Sequence, residues 1–244
     1  MAQATLLLLL TAALLHAQPA RFGAPACSPS HQELADHAYF LLCHDPALKV
    51  SRWVAYELLP HHLNHPTNPR PSRFRPDPQL ALPAALDSDY RHSGFSRGHL
   101  APAADFAWSP DALRATFLLS YAVPKLQSVY AGVLSRLEAA VRSLAAHADA
   151  VYVFTGPIFE GELATIGEGR VAVPSHLFKA VLVVRNGTSR MLAAIVPNAP
   201  SPKAPLAHFL TTVDDIEART RLDLFSALDD QEEQALEAAR PRPL

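Results

Sequence analysis

One short segment of the chain concentrates residues that could carry out chemistry. It covers residues 89–105 and reads DYRHSGFSRGHLAPAAD. His99 follows Gly98 in this segment, and a neutral imidazole can accept a proton from water near pH 7, which is the role of a general base. Arg91 and Arg97 could hold a phosphate group, because a guanidinium matches its oxygens with a fork of N–H donors.

The residue types of this segment also fit a purely structural loop. A single histidine in a loop is more often structural or merely exposed than catalytic. Gly94 and Gly98 stand on either side of Arg97 and indicate tight backbone geometry there. Whether these residues could act together therefore depends on the elements that position the segment.

Five stretches outside this segment have the composition of β-strands. They are short, bounded by turn residues and rich in aromatic, β-branched or other apolar side chains. The predicted strands cover residues 37–43, 50–58, 151–155, 178–184 and 191–197. We expect Gly156-Pro157 to end the third strand, and Arg185-Asn186-Gly187 to form the turn between the last two.

One long helix is predicted over residues 125–147. This run lacks proline, and its apolar residues recur at intervals of three and four, which is typical of an amphipathic helix. Pro124 suits the first turn of such a helix. Residues 60–83 contain seven prolines and are predicted to form a loop. Strands and helices do not alternate regularly, and this order favours an α+β fold.

The N-terminal end of the chain is apolar and the C-terminal end is acidic, and both differ from the mixed composition of the middle. The run Leu6 to Leu15 is apolar but too short for a membrane helix, which needs roughly 20 residues. It fits a secretory signal peptide, although no basic residue precedes it, so a buried N-terminal helix is the alternative. We therefore expect a secreted or periplasmic protein. The predicted organisation is a signal peptide at 1–17, a loose lead-in at 18–35, a single domain at 36–228 and an acidic, proline-containing tail at 229–244.

Cys27 and Cys43 are the only cysteines of the chain. In an oxidising compartment two cysteines favour one disulfide, but their spacing cannot establish it, because the geometry of the fold decides. The absence of a CxxC pair or a cysteine quartet argues against a structural zinc site.

Composition and charge limit the classes of function. Hydrophobic residues make up 49% of the chain, which excludes a wholly disordered protein. The formal net charge of -2 excludes a chain-wide basic coat for nucleic acid, but a local patch is possible. Residues 49–99 hold seven cations and four anions, whereas residues 211–244 hold nine anions and four cations. These segments are either two solvated faces or an anion-binding side and an acidic tail.

The signature segment resembles that of the DNA/RNA non-specific endonucleases, also called ββα-metal or His-Me finger nucleases. The usual form of that signature is DY-x-x-SG-x-DRGH-x-xPA-x-D. The matching residues here are Asp89, Tyr90, Ser93, Gly94, Arg97, Gly98, His99, Pro102, Ala103 and Asp105. Further similar stretches are WVAYEL at 53–58, FRPDP at 74–78, the segment 120–138, VAVPSHLFK at 171–179 and DDIEARTRLDLF at 214–225. The resemblance covers most of the chain after about residue 35.

The resemblance implies a fold and a mechanism. The implied fold is a ββα-metal core with a mixed, mainly antiparallel sheet and a long helix after the histidine motif. His99 would be the general base that activates water against a phosphodiester of DNA or RNA. A divalent cation, Mg²⁺ in most members, would neutralise charge on the leaving oxygen.

Other site residues can be assigned by position in the family's motifs. Glu138 and Arg142 match the glutamate and arginine of the family's helix, and they lie on one helical face, where they could equally form an ion pair. Arg97 matches the arginine of the signature. Arg70 or Arg73 matches a phosphate-binding arginine of the preceding loop, and Arg91 is a further candidate for binding substrate.

Several residues depart from the family's pattern at the metal site. The asparagine that binds the metal in the family falls on Tyr130, and a phenol is a poor Mg²⁺ ligand at neutral pH. Gln127, almost one turn earlier, offers a carbonyl oxygen as a substitute. The remaining departures are Ser96, Tyr121, Lys125 and Leu134, in place of Asp, Asn, Gln and Trp.

The sequence is therefore compatible with three functions. The first is a secreted, metal-dependent endonuclease that cleaves both DNA and RNA. The second is a catalytically impaired module on the same fold that binds nucleic acid or another polyanion. The third is an exported interaction protein that does not bind nucleic acid, which the overall charge allows.

Overall fold

The computed structural model describes residues 18–28, 30–65, 68–82, 84–200 and 204–241, without the side chains of Tyr130 and Ala131. The predicted signal peptide at 1–17 lies outside the described residues. Within them, no helix combines the length and the apolar character needed to cross a membrane.

A seven-stranded antiparallel sheet forms the centre of the fold. Its strands are β1 (Glu33–Asp36), β2 (Phe40–Asp45), β3 (Val50–Leu58), β6 (Ala150–Ile158), β9 (His176–Arg185), β10 (Thr188–Pro197) and β11 (Leu210–Thr211), in that spatial order. Two separate hairpins pair β4 (Ser96–His99) with β5 (Ala122–Lys125) and β7 (Thr165–Ile166) with β8 (Val171–Ala172). The helices are α1 (Pro110–Ala115), α2 (Gln127–Val129), α3 (Ser135–Ala145), α4 (Val213–Thr220) and α5 (Asp230–Glu237). Short 3₁₀ turns cover Pro60–Leu63, Asp87–Tyr90, Ala103–Phe106, Leu119–Tyr121 and Leu206–Phe209. The α+β class predicted from the order of elements is confirmed.

The sheet is covered on both faces, which explains why its strands are apolar almost throughout. Along β3, Val54 and Tyr56 belong to the same core as Leu137 of α3. Trp53 and Ala55, which alternate with them along the strand, belong to a second core with Ile216 of α4. Side chains of a strand alternate between faces, so a strand buried on both sides needs apolar residues at successive positions.

Several predicted strands are longer or shifted in the structure, and two of these differences have a clear local cause. The predicted strand at 37–43 begins only at Phe40, because Ala38 has a positive φ of 64° and lies in the turn after β1. The Gly156-Pro157 pair does not end β6, which continues to Ile158. A Cβ at Gly156 would lie 2.3 Å from the carbonyl oxygen of Arg52, so the glycine permits close packing within the sheet.

The predicted long helix is also corrected. Pro124 lies in β5, opposite Arg97, and the helix begins only at Gln127. Residues 130–134 then form a wider π-type turn before α3, and Gly132 within it has non-helical angles of φ −105° and ψ −107°. Such π-bulges are frequent at functional sites, and this one contains the position of Tyr130.

Two local predictions are confirmed or resolved. Asn186 and Gly187 form the turn between β9 and β10 with φ values of 51° and 70°, as a two-residue hairpin of type I′ requires. Cys27 and Cys43 form a disulfide, which ties the lead-in segment to β2. The predicted domain boundaries stay a prediction.

Candidate active site

His99 lies at the end of a hairpin that leads into the interrupted helix. It is the last residue of β4 and pairs with Ala122 of β5. Gly98 allows the side chain of Lys125 to cross this hairpin, because a Cβ at Gly98 would lie 2.6 Å from both Cβ and Cε of Lys125. The Lys125 ammonium thereby donates a hydrogen bond of 2.7 Å to the carbonyl oxygen of His99. The two strands and the helix are the ββα arrangement that the resemblance implies.

The imidazole of His99 is enclosed by aromatic rings and is only 8% exposed. Its centroid lies 5.0 Å from that of Phe74 and 4.8 Å from that of Phe117. Its Nε2 is buried and has no hydrogen-bond partner in the part of the chain that the structure describes. Burial, followed by the positive charges of Lys125 and Arg70, lowers the pKa of His99 to about 3. The ring is therefore neutral at physiological pH.

The proline-rich loop supplies the ring that covers His99. The backbone N–H of Arg75 donates to the carbonyl of Phe117 at 3.0 Å, and the N–H of Leu119 donates to the carbonyl of Arg75 at 2.9 Å. These two bonds fix Phe74 next to Phe117. The loop is thus docked on the segment before β5, and its aromatic side chain shields the imidazole from water.

A buried charged network lies behind the hairpin. Asp105 accepts hydrogen bonds from the Tyr56 hydroxyl at 2.8 Å and from Arg142 Nη1 at 3.0 Å. The Lys179 ammonium is buried and lies 5.7 Å from the Tyr56 ring centroid, within range of a cation–π contact. Burial raises the pKa of Glu138, while the charges of Lys179 and Lys125 oppose that shift.

This network changes the interpretation of Glu138 and Arg142. The sequence placed both on one helical face, where they could form an ion pair with each other. The structure pairs Arg142 with Asp105 instead, and Glu138 faces the two lysines. Burial raises the pKa of Asp105, and Arg142 is the first of the charges that oppose this shift.

Three of the four predicted phosphate-binding arginines line one cavity, which Arg70 and His99 do not line. The cavity has a volume of about 690 Å³ and is lined by Arg73, Arg91 and Arg97 together with Asp87. Arg97 pairs with Asp87, and Arg91 lies 3.9 Å from the same carboxylate. Phe74 and Phe117 line the cavity as well, so its wall is also the cover of His99. The guanidinium of Arg70 lies 5.7 Å from the Phe117 ring centroid.

Only part of the family's metal-binding position is described by the structure. The Oε1 atom of Gln127, the proposed substitute ligand, accepts a hydrogen bond of 3.0 Å from the Ser96 hydroxyl on the exposed surface. The side chain of Tyr130 is outside what the structure describes. Among the described residues, no group of three His, Cys, Asp or Glu ligand atoms lies beside His99.

Sequence reasoning named no site role for several residues that the structure brings together here. These are Tyr56, Phe74, Asp105, Phe117, Lys125 and Lys179. Asp105 closes the signature segment and Lys179 closes the VAVPSHLFK stretch, so their places within conspicuous motifs were an available signal. The pairing of Phe74 with Phe117 left no local signal, because it depends on how a long loop docks.

Comparisons with known proteins agree with this geometry. A family model described as DNA/RNA non-specific endonuclease matches residues 18–231. Mitochondrial endonuclease G of Bos taurus is 36% identical over 216 residues, which cover 83% of this chain and 71% of the relative. The mitochondrial nuclease EXOG of Danio rerio is 35% identical over 237 residues, covering 91% of this chain and 68% of the relative.

A solved structure shows the same fold. The crystal structure of the EndoG/EndoGI complex contains a chain that superposes with a TM-score of 0.79, covering 86% of this chain and 91% of that chain. The sequence identity is 24%, so this likeness concerns the fold alone. It confirms the predicted ββα-metal nuclease fold with a mainly antiparallel sheet.

The same relatives overturn one prediction. The expected secreted or periplasmic location is wrong, because relatives from cattle and zebrafish, and a further one from Caenorhabditis elegans, are named mitochondrial nucleases. A ten-residue apolar run without a preceding basic residue was too unspecific a pattern to indicate export.

The site and the comparisons agree with one another. The structure places His99 at the end of the β4–β5 hairpin with arginines nearby, and the family model matches nearly the whole chain. The chain belongs to the DNA/RNA non-specific endonuclease family, a family of metal-dependent enzymes.

Proposed function

We propose that this protein hydrolyses phosphodiester bonds of both DNA and RNA, with His99 as the general base. The observation that supports the proposal most strongly is a neutral imidazole packed against Phe74 and Phe117, two residues that also line a cavity with three arginines. A neutral imidazole can accept a proton from water, and the arginines supply the positive charge that attracts a phosphate backbone.

Substrate binding would begin in the arginine-lined cavity. Arg97 is engaged there by Asp87, so an incoming phosphate has to displace that carboxylate. Because a guanidinium binds phosphate with two parallel hydrogen bonds, this exchange replaces one anion by another. Contacts to the backbone phosphate carry no sequence information, which fits a nuclease without sequence preference.

Proton transfer requires water to reach the His99 ring. Moving Phe74 or Phe117 away would hydrate the imidazole and reduce the burial that depresses its pKa. A bound phosphate would also offset the charge of Arg70, which lowers the pKa further. Both changes would raise the pKa of His99 toward neutral pH, and a general base works best when its pKa is near the pH of the reaction.

The resemblance implies a divalent cation, usually Mg²⁺. The described side chains beside His99 are not suited to hold one. The oxygen of Gln127 is engaged by Ser96, and Glu138 lies close to two lysine ammonium groups that repel a cation. Tyr130 occupies the sequence position of the family's asparagine. The proposed role of His99 therefore does not depend on a metal ion, and the requirement for Mg²⁺ or Mn²⁺ is left to experiment.

A second candidate function follows from the same observation. An arginine-lined cavity without a described metal-ligand set beside it could bind nucleic acid or another polyanion without cutting it. Such binding would weaken steeply with salt, since neutralised phosphates release their counterions.

The decisive experiment is digestion of supercoiled plasmid and of RNA by the purified protein, with Mg²⁺, with Mn²⁺ and with a chelator. His99→Ala should lower the rate about 10²- to 10⁴-fold, the usual contribution of a general base. His147→Ala is the matched control, because His147 is exposed. Equal rates for wild type and His99→Ala would refute the proposal. Salt-sensitive binding without cleavage would favour the second candidate.

The variant Tyr130→Asn tests the metal site within the same assay. If the tyrosine has weakened the site, restoring the family's ligand type should increase cleavage in Mg²⁺. Equal cleavage by both proteins would show that the identity of this side chain does not limit the reaction.

A further inference from the structure

Three carboxylates lie close together where α4 and α5 come into contact. These residues are distant in the sequence from the signature segment. Asp214 and Glu217 lie three residues apart on α4, which places them on one helical face. Glu237 is the last residue of α5. One carboxylate oxygen from each residue lies within 4.8 Å of the other two, and the described part of the chain contains no second such group.

Within the described residues, the charge of this cluster is not balanced by an ion pair. None of the three carboxylates forms an ion pair with a residue that the structure describes. The charges that act on Glu237 are those of Glu217, Glu233, Asp214 and Asp223, all of them acidic. Burial, followed by this repulsion, raises the pKa of Glu237 to about 8. Burial likewise raises the pKa of Glu217 to about 7.

An independent observation concerns the hydrogen bonding of Glu237. This residue is 6% exposed, and its Oε1 atom is buried without a hydrogen-bond partner among the described residues. Buried polar atoms without a partner are rare in folded proteins, because they lose the hydrogen bonds of water and gain none. A proton, a water molecule or a cation would satisfy this oxygen.

We propose that Asp214, Glu217 and Glu237 bind a calcium ion that fastens α5 to α4. All the ligand atoms are carboxylate oxygens, which are the ligands of hard cations such as Ca²⁺, whereas zinc and copper favour nitrogen and sulfur. Oxygens bind Ca²⁺ at about 2.4 Å, so any two ligands of one ion are at most about 4.8 Å apart, and the three oxygens here meet that limit. The shell of Mg²⁺ is smaller and more rigid.

The site would give the acidic tail a structural role. The side chain of Leu236 in α5 is only partly buried against the core, so the helix has limited apolar attachment. Three carboxylates that repel one another at its end would favour detachment of α5 from α4. A divalent cation converts that repulsion into attraction.

The test is thermal unfolding of the full-length protein, first freed of metal with a chelator and then supplied with CaCl₂. At a calcium concentration about 100-fold above the Kd, the unfolding temperature of wild type should rise by about 5 °C or more. Limited proteolysis should then show slower cleavage at the C-terminal segment, as expected if the ion holds α5 in place.

Glu237→Gln and Asp214→Asn should abolish most of this rise, whereas the control Glu232→Gln should retain it, because Glu232 is an exposed residue of the same helix outside the cluster. Asp214 is exposed, so its variant is expected to fold even if Glu237→Gln does not. The proposal is overturned if calcium does not stabilise wild type, or if both cluster variants keep the full effect. An equal rise with MgCl₂ would overturn the choice of calcium.

Discussion

Acidification should lower the free energy of unfolding of this protein through His99. Its folded pKa of about 3 lies below the value of about 6.5 in the unfolded chain. As the pH falls through 6.5, the unfolded chain therefore binds a proton that the folded protein cannot bind. The stability contributed by the neutral ring is complete above that pH and is lost on the way down to pH 3.

The magnitude follows from the two pKa values. Between about pH 7.5 and about pH 5, one such histidine removes about 2 kcal/mol from the free energy of unfolding. Neither ring nitrogen of His44 has a hydrogen-bond partner among the described residues, and burial lowers its pKa to about 4, so it adds a loss of similar size. Wild type should therefore lose about 4 kcal/mol from these two residues together over this interval.

The assay is urea denaturation of wild type and His99→Phe at both pH values. Phenylalanine keeps an aromatic ring between Phe74 and Phe117 but cannot titrate. The variant should lose about 2 kcal/mol less than wild type on acidification. The control His147→Ala should lose as much as wild type, because that side chain is exposed. Equal losses for His99→Phe and wild type would mean that the imidazole titrates normally in the folded protein, which would contradict its enclosure by Phe74 and Phe117.

Two further changes test how the site and the lead-in segment are held. Gly98→Ala places a Cβ 2.6 Å from Cβ of Lys125, so the hairpin should shift at a cost of about 1–3 kcal/mol in urea denaturation; an unchanged midpoint would show that Lys125 does not cross Gly98. Cys27→Ser opens a disulfide between residues 16 apart and should lower the free energy of unfolding by about 3 kcal/mol. A midpoint equal to that of wild type under non-reducing conditions would contradict the bond.

The sequence alone predicted the features that depend on neighbouring residues. The strand at Val50–Leu58 has the predicted boundaries, and Asn186-Gly187 makes the predicted turn. The signature segment led to the correct family and fold. These patterns are informative because strand composition, turn geometry and motif spacing are set within a few residues along the chain.

Other features were decided only by tertiary contacts. Pro124 looked like the start of a helix, but pairing with Arg97 places it in a strand. The interruption at Gly132 lies inside a run whose apolar periodicity predicts one continuous helix. Local patterns cannot specify such boundaries when long-range pairing outweighs local preference.

The chemistry of the site divides in the same way. The sequence named His99 and the arginines that surround its cavity, because residue type and motif position determine those assignments. The folded chain alone decided that Arg142 pairs with Asp105, 37 residues away, and that Phe74 and Phe117 enclose the imidazole. The protonation state of a buried group depends on what packs against it and on nearby charges, and both are set by segments that are distant in the sequence.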